Sequence, residues 1–186
     1  MKKKIYYGES YEGYPIKCNT NYPCYEEILA KLLRVIQVSK SRYVRPIGFH
    51  IRYRVKNSVD GRVVTDRLNK CFRNKNSGRM LKHTFSPCWL KVTEEDLLRD
   101  GEHHHLALII EGKYATHASL HCLFAKLQKK YLQNYEIIKA WDESYASGVD
   151  LRTDKGVTYF FNWLSYIAKS NTKESIKQTY STSRLS

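Results

Sequence analysis

The feature that most constrains the fold is a run of three histidines that leads directly into an aliphatic segment, residues 102–110 (EHHHLALII). A short aliphatic run that ends in a glycine-containing turn predicts a buried strand. Side chains alternate along a strand, so we expect His103 and His105 on one face and His104 on the other. Two imidazoles spaced in this way could bind a divalent metal ion, or they could be exposed residues at the entrance of a strand.

The charge of the chain favours a polyanionic partner. It has 32 Lys and Arg residues against 18 Asp and Glu residues, for a formal net charge of +14. A positive field of this strength attracts nucleic acid or, less often, an anionic membrane surface. Some of the 15 tyrosines could stack on unpaired bases, while others are expected in the core.

The composition also predicts the compartment. Five cysteines without a CxxC pair predict neither a disulfide framework nor a zinc finger. No apolar run is long enough for a transmembrane helix, and the basic residues 2–4 precede no apolar signal segment. We therefore expect a reduced, cytoplasmic protein with no membrane partner.

The hydrophobic pattern predicts an α+β fold, in which an antiparallel sheet has helices packed on one face. Strands are expected at about 45–55, 84–92 and 104–111, with a short one near 149–151. Helices are expected over about 25–38, 63–72, 118–135 and 157–169. Residues 93–96 resemble a helix start or an acidic turn. An irregular arm (1–24) and a polar basic tail (170–186) complete a single domain over residues 1–186.

The first long strand has one apolar face and one basic face. Within residues 47–55, apolar side chains alternate with His50, Arg52 and Arg54. Such a basic sheet face could bind DNA through Arg52 and Arg54, or it could be an ordinary solvated surface.

A second candidate for chemistry lies on the last predicted helix, where Tyr166 and Lys169 are three positions apart and share a face. A phenol is a poor nucleophile at its ordinary pKa of about 10, and a neighbouring cation can favour the phenolate or hold a phosphate. A divalent ion on the histidines could polarise a phosphodiester. The alternative is that Tyr166 only packs.

The order of these features resembles the HUH superfamily of single-strand endonucleases, which includes initiators of rolling-circle replication and relaxases. Residues 102–110 resemble the His-Tyr-His strand of the inovirus-type replication proteins, the family that includes the YagK/YfjJ C-terminal domain, with His104 in place of the central tyrosine. Residues 161–173 resemble that family's Ser-Tyr-Leu-Ala-Lys segment with its trailing Thr-Lys, and 182–184 resemble its closing Thr-Ser-Arg. The resemblance is close over roughly the last half of the chain and loose before it.

This resemblance implies a ferredoxin-like or RRM-like core, with the metal and the tyrosine on the open face of the sheet. His103 and His105 would bind Mg²⁺ or Mn²⁺. Tyr166 would attack single-stranded DNA, which would leave a 5′-phosphotyrosyl link and a free 3′-hydroxyl from which a host polymerase could prime. Lys169 would orient the phosphate or stabilise charge.

The resemblance also implies a third, polar metal ligand. The family's glutamate does not align cleanly, so Glu94 is the first candidate, with Glu95 and Glu102 as others. The basic residues of the family-like C-terminal segments, Lys173 and Arg184, would contact DNA together with the basic strand.

The predicted function is therefore a metal-dependent nickase that initiates rolling-circle replication of a phage, prophage or plasmid. Its partners would be single-stranded or hairpin DNA at a replication origin and the host replication machinery. Two alternatives remain: a nonenzymatic DNA-binding protein derived from such an initiator, and a metal-dependent hydrolase that activates water.

Overall fold

The computed structural model describes residues 4–56, 62–73, 86–95, 102–112, 117–138, 148–170 and 180–184. The strands, in chain order, are β1 Ile5–Tyr6, β2 Ser10–Tyr11, β3 Tyr14–Pro15, β4 Cys24–Tyr25, β5 Pro46–Val55, β6 Cys88–Glu95, β7 Glu102–Glu111, β8 Leu132–Ile138, β9 Val149–Asp150 and β10 Tyr180–Thr182. The helices are α1 Glu26–Arg42, α2 Arg62–Arg73, α3 His117–Lys130 and α4 Asp154–Ser165, and a 3₁₀ turn, Tyr166–Ala168, follows α4. In this part of the chain, no helix is long and apolar enough to cross a membrane.

The main sheet has the order β10-β6-β7-β5-β8, and β9 also pairs with β5. Each of these pairings is antiparallel. The predicted α+β class with an antiparallel sheet is therefore confirmed. Within it, β5, α2, β6, β7, α3 and β8 follow one another as a β-α-β-β-α-β unit.

Helices cover both faces of this sheet. α2 and α3 pack with Ile51, Leu106 and Leu108 on one face. α1 and α4 pack with Ala107 and Ile109 on the other. The expectation of helices on one face is therefore correct only for α2 and α3. The reason lies in β7, whose residues 106–110 are all apolar and fully buried, because a strand without a polar face must be covered on both sides.

The segment predicted as a helix start or acidic turn, residues 93–96, is strand as far as Glu95. β6 begins at Cys88, and its pairing with β7 continues through Glu94 opposite His103. Part of the predicted tail is also strand, because β10 pairs with β6. Residues 84 and 85 of the predicted strand lie outside the described residues.

Two predicted helices end earlier than expected. α3 ends at Lys130, and β8 begins at Leu132 because residues 132–138 pair with β5. α4 ends at Ser165, where the chain tightens into the 3₁₀ turn.

The N-terminal arm packs against the end of α4. Its short strands pair as β1–β4 and β2–β3, and Cys18 and Cys24 form a disulfide. The expectation of a reduced chain is therefore wrong for this pair of cysteines. Hydrogen bonds attach the arm to the chain around the 3₁₀ turn. Lys17 N–H donates to Ser165 Oγ (2.7 Å), and the N–H and Oγ of Ser170 both donate to Pro23 O (2.9 and 3.2 Å).

The close approach of α4 to β5 depends on Gly48. A Cβ atom at this position would lie 2.7 Å from the ring of Phe160. Because Gly48 has no side chain, the helix lies directly on the strand that carries His50 and Arg52.

We expect Gly48→Ala to lower the free energy of unfolding by about 1–3 kcal/mol, because the added methyl overpacks this contact. Urea denaturation would measure the change. The double variant Gly48→Ala/Phe160→Leu removes the clashing ring atoms, so it should be more stable than expected from the sum of the two single substitutions. Additive effects would contradict the contact.

Candidate metal and tyrosine site

Three potential metal ligands meet where β6 and β7 pair. His103 and His105 lie two positions apart on β7, and Glu94 on β6 is directly opposite His103. Glu94 Oε2 lies 3.3 Å from His103 Nε2 and 3.4 Å from His105 Nε2, and the two Nε2 atoms are 3.1 Å apart. Strand alternation therefore brings the two histidines together, and the register supplies the carboxylate.

The separations of these three atoms fit a metal ion. Atoms that ligate an ion at about 2.0–2.2 Å lie roughly 2.8–3.6 Å apart in octahedral or tetrahedral geometry. The side chains of Glu94, His103 and His105 are only 10%, 13% and 4% exposed. A buried group of two imidazoles and a carboxylate can thus bind a divalent ion. Imidazole suits transition metals and carboxylate suits Mg²⁺ and Mn²⁺, so the donor set alone does not choose the metal.

The other candidate residues lie elsewhere. Glu102 and Glu95 form the next pair of the ladder, and Glu102 is exposed. Glu102 alternates with His103 along β7, which directs it to the opposite face. Tyr159, the tyrosine of α4, has its ring 6.1 Å from that of Trp163.

The hydroxyl of Tyr166 reaches the same cluster from the 3₁₀ turn after α4. It lies 3.3 Å from Nδ1 of His105 and 3.4 Å from Nε2 of His50. The Nε2 atom of His105 belongs to the potential metal site formed by Glu94, His103 and His105, called the Glu94 group below. A single imidazole ring therefore connects this site to the tyrosine. The structure therefore brings together the two halves of the site, 61 residues apart in the chain.

Burial raises the pKa of the Tyr166 phenol above its ordinary value, and the negative charge of Glu94 raises it further. The guanidinium of Arg52 acts in the opposite direction. The phenol is therefore protonated at neutral pH. To act as a nucleophile it needs additional positive charge nearby, which a cation on the Glu94 group would bring.

Arg52 lies beside this cluster. In the ladder between β5 and β7, Arg52 is directly opposite His105, and it is exposed. Arg54 is two positions further along the same strand face and is partly buried. The predicted basic strand face is thus the face that carries the metal ligands.

The remaining predicted DNA contacts do not join the cluster. Ser183 pairs with Trp89, so Arg184 lies near the start of β6, at the end away from Glu94. Lys173 lies outside the described residues.

The predicted helical pairing of Tyr166 with Lys169 is wrong. Lys169 follows the 3₁₀ turn with an extended backbone (φ −50°, ψ 135°), and it forms an isolated β-bridge with Cys24. Its ammonium lies 5.0 Å from the centre of the Tyr22 ring. The arm thus replaces the last turn of the predicted helix, and the role of Lys169 stays a prediction.

One residue of the cluster was missed by the sequence analysis. His50, which the alternation places on the basic face of β5, is completely buried. Its Nε2 lies 2.9 Å from Nδ1 of His105, and its ring meets that of Trp163 edge-on at 5.4 Å. Burial, followed by the neighbouring His105, lowers the pKa of His50 well below its ordinary value. The sequence indicates only that His50 shares a strand face with Arg52. Its burial follows from the position of α4 over this part of β5.

His104, the central histidine, is buried on the opposite face. Its Nδ1 lies 3.1 Å from Thr93 Oγ1, and its ring centre is 5.0 Å from that of Tyr53. Burial, followed by the charge of Lys91, lowers the pKa of His104 to about 3. This residue contributes to the core and not to the potential metal site.

Comparison with protein-family models found no match to the chain, and neither the curated proteins nor the solved structures gave one.

Glu94 is the ligand that the geometry selects, so Glu94→Gln should weaken Mn²⁺ binding by more than about 10-fold. The Mn²⁺ affinity would be measured by titrating the metal-free protein with Mn²⁺ and monitoring either the heat released or the electron paramagnetic resonance signal of free Mn²⁺. Glu102→Gln is the matched control and should bind as the unsubstituted chain does. A larger loss with Glu102→Gln would assign the third ligand to Glu102 instead.

The buried His104 should make the fold sensitive to acid. It stays neutral in the folded chain down to a pKa of about 3, whereas in the unfolded chain it takes up a proton near 6.5. Unfolding therefore binds a proton between these values, and stability falls as the pH falls. Between pH 7 and pH 5, His104 alone contributes a loss of about 2 kcal/mol.

His104→Phe keeps a ring in place and cannot be protonated, so its stability should fall by about 2 kcal/mol less than that of the unsubstituted chain over this interval. Urea denaturation at pH 7 and pH 5, with EDTA present to remove metal, would compare the two. Equal losses would show that His104 is not held neutral by the fold.

Proposed function

We propose that this chain is a metal-dependent single-strand DNA endonuclease of the HUH type, with Tyr166 as its nucleophile. One observation carries the proposal. The hydroxyl of Tyr166 lies 3.3 Å from Nδ1 of His105, and Nε2 of the same ring lies within 3.4 Å of Glu94 and 3.1 Å of His103. A phenol held next to a potential metal ligand would place a nucleophile and a charge-stabilising ion beside the same phosphodiester.

In the proposed reaction, the phenolic oxygen of Tyr166 attacks the phosphorus of a DNA phosphodiester and loses its proton. The bond from phosphorus to the 3′ oxygen breaks, and that oxygen leaves with a proton as a free 3′-hydroxyl. The products are a 5′-phosphotyrosyl link and a primer end. Glu94, His103 and His105 would hold Mg²⁺ or Mn²⁺, which supplies positive charge beside the phosphate when bound. The exposed guanidinium of Arg52 would bind an oxygen of the phosphate.

The architecture supports this proposal. The strands of the β-α-β-β-α-β unit lie in the order β8-β5-β7-β6, which is compatible with a ferredoxin-like or RRM-like core. The two helices of the unit, α2 and α3, pack together on one face. The Glu94 cluster and Tyr166 lie on the other face. The HUH resemblance implies that this face is open, whereas α1 and α4 cover it around Ala107 and Ile109.

The charge and the burial of Tyr166 support a single-stranded substrate. The net charge of +14 favours a polyanion. Tyr166 and His103 are only partly exposed, so a phosphate must enter the site to reach them, and a flexible single strand can do this where a rigid duplex cannot. The substrate would be single-stranded or hairpin DNA at a replication origin. The partners would be the host replication machinery in a bacterial cytoplasm.

Incubation with Mn²⁺ and labelled single-stranded oligonucleotides tests the proposal. We expect label that migrates with the protein on a denaturing gel, that requires the metal, and that disappears in Tyr166→Phe. Tyr159→Phe is the matched control and should keep the labelled band, because Tyr159 packs against Trp163.

Two other results would replace the proposal. Cleaved DNA without a labelled protein band, still present in Tyr166→Phe, would indicate a hydrolase that activates water at the metal. Binding without cleavage, over several oligonucleotides and metals, would indicate a nonenzymatic DNA-binding protein.

A further inference from the structure

His50 lies between the potential metal site and the tyrosine. It is completely buried, and its Nε2 is 2.9 Å from Nδ1 of His105 and 3.4 Å from the hydroxyl of Tyr166. The three polar atoms thus form a closed triangle, since His105 Nδ1 and the Tyr166 hydroxyl are themselves 3.3 Å apart. Trp163 packs edge-on against the His50 ring and restricts its orientation.

We propose that His50 is a positioning residue, which holds His105 in the tautomer that binds metal and keeps the Tyr166 hydroxyl next to that ring. The part that concerns Tyr166 rests on the proposed function. The part that concerns His105 depends only on the metal site.

The tautomer of His105 decides whether its ring can bind a metal ion at Nε2. Nε2 of His105 faces Glu94 and His103, so a metal bound there needs the lone pair of Nε2. The proton of the neutral ring must then be on Nδ1. Histidine ligands normally donate this second N–H to a partner, which fixes the ring and strengthens the ligand. Nε2 of His50, at 2.9 Å, is closer than the Tyr166 hydroxyl and is the better placed acceptor.

The two imidazoles must change tautomer together. If His50 carries its proton on Nε2, this proton is donated to His105 Nδ1, and the proton of His105 moves to Nε2, where it blocks the metal. If His50 carries its proton on Nδ1, its Nε2 accepts from His105, and the metal side is open. Nδ1 of His50 is buried without a hydrogen-bond partner among the described residues, so no hydrogen bond at that atom stabilises either arrangement. Binding of metal at His105 therefore selects the arrangement in which His50 carries its proton on Nδ1.

The same contact places the tyrosine. In the metal-binding arrangement, the single lone pair of His50 Nε2 faces two donors, the N–H of His105 Nδ1 at 2.9 Å and the hydroxyl of Tyr166 at 3.4 Å. The shorter contact, from His105, is the stronger one, and the hydroxyl of Tyr166 is held beside it as the weaker donor. Both contacts need an acceptor at this position.

Two variants separate an acceptor from a space-filling ring. His50→Gln keeps an acceptor near the position of Nε2, whereas His50→Phe keeps a ring without one. We expect His50→Phe to weaken Mn²⁺ binding to the metal-free protein by about 10–100-fold, and His50→Gln to restore binding to within about 3-fold of the unsubstituted chain. His121→Phe, at an exposed histidine on α3, is the matched control and should bind Mn²⁺ normally.

A spectroscopic measurement tests the tautomer directly. In ¹⁵N-labelled protein loaded with diamagnetic Mg²⁺ or Zn²⁺, long-range ¹H–¹⁵N spectra should show the proton of His105 on Nδ1. His50→Gln should keep this pattern. If His50→Phe does not fold, His50→Asn replaces it, because the shorter amide cannot reach the position of Nε2 and should bind Mn²⁺ as weakly.

The outcomes separate this inference from the proposed function. Mn²⁺ binding that is equal in the unsubstituted chain, His50→Phe and His50→Asn would overturn the role of His50 and leave the nickase proposal standing. A second outcome combines two results: Mn²⁺ binding depends on His50, and Tyr166→Phe cleaves DNA as well as the unsubstituted chain does. These results would overturn the tyrosine nucleophile and support the role of His50 toward His105. A chain that binds no divalent metal would overturn both.

Discussion

The burial of β7 on both faces is the constraint on which the rest of the structure depends. Residues 106–110 are apolar and fully buried between two layers of helices. Because side chains alternate with a period of two, a slip of one residue would turn every one of them to the other layer. This burial fixes the register of β7 against both neighbours. The register in turn places Glu94 opposite His103 and Arg52 opposite His105. The polar cluster is thus positioned by the apolar end of the same strand.

Tyr166, the other half of the site, is positioned by α4 and by the N-terminal arm. α4 lies close to β5 because Gly48 leaves room for Phe160, and Phe160, Phe161 and Leu164 are completely buried. The N-terminal arm then holds the end of this helix through Ser165 and Ser170. The 3₁₀ turn that carries Tyr166 is therefore supported on both sides, by the sheet and by the arm. A nucleophile needs such support, since small displacements of a reacting atom cost large factors in rate.

The sequence predicts the parts of the site that depend on local pattern and misses those that depend on distant contacts. Alternation along one strand is sufficient to pair His103 with His105. Glu94 lies in a segment that locally resembles a helix start, and only its pairing with β7 makes it strand. His50 has the right face by alternation, but its burial depends on α4, which begins more than 100 residues later. The position of Lys169 depends on the arm, since the neighbouring Ser170 bonds to Pro23 across 147 residues.

The sheet topology shows the same division. The continuous apolar run of 106–110 is typical of a strand covered on both faces, and this signal contradicts the expectation of helices on one face alone. The strand β8 is harder to predict, because residues 132–135 continue the periodicity of α3, and pairing with β5 is what ends the helix. Local propensity therefore predicts most of the helices and strands, and strand pairing within the sheet determines where they end.

The electrostatics of the cluster couple the metal to the tyrosine. Without a cation, the carboxylate of Glu94 and the burial of the phenol both raise the pKa of Tyr166, so the fold by itself disfavours the nucleophilic form. A divalent cation on the Glu94 group reverses the sign of the nearest charge, and Arg52 then acts in the same direction as the ion. Charges in such a buried site interact more strongly than in water. If Tyr166 is the nucleophile proposed above, its activation would therefore follow occupation of the metal site.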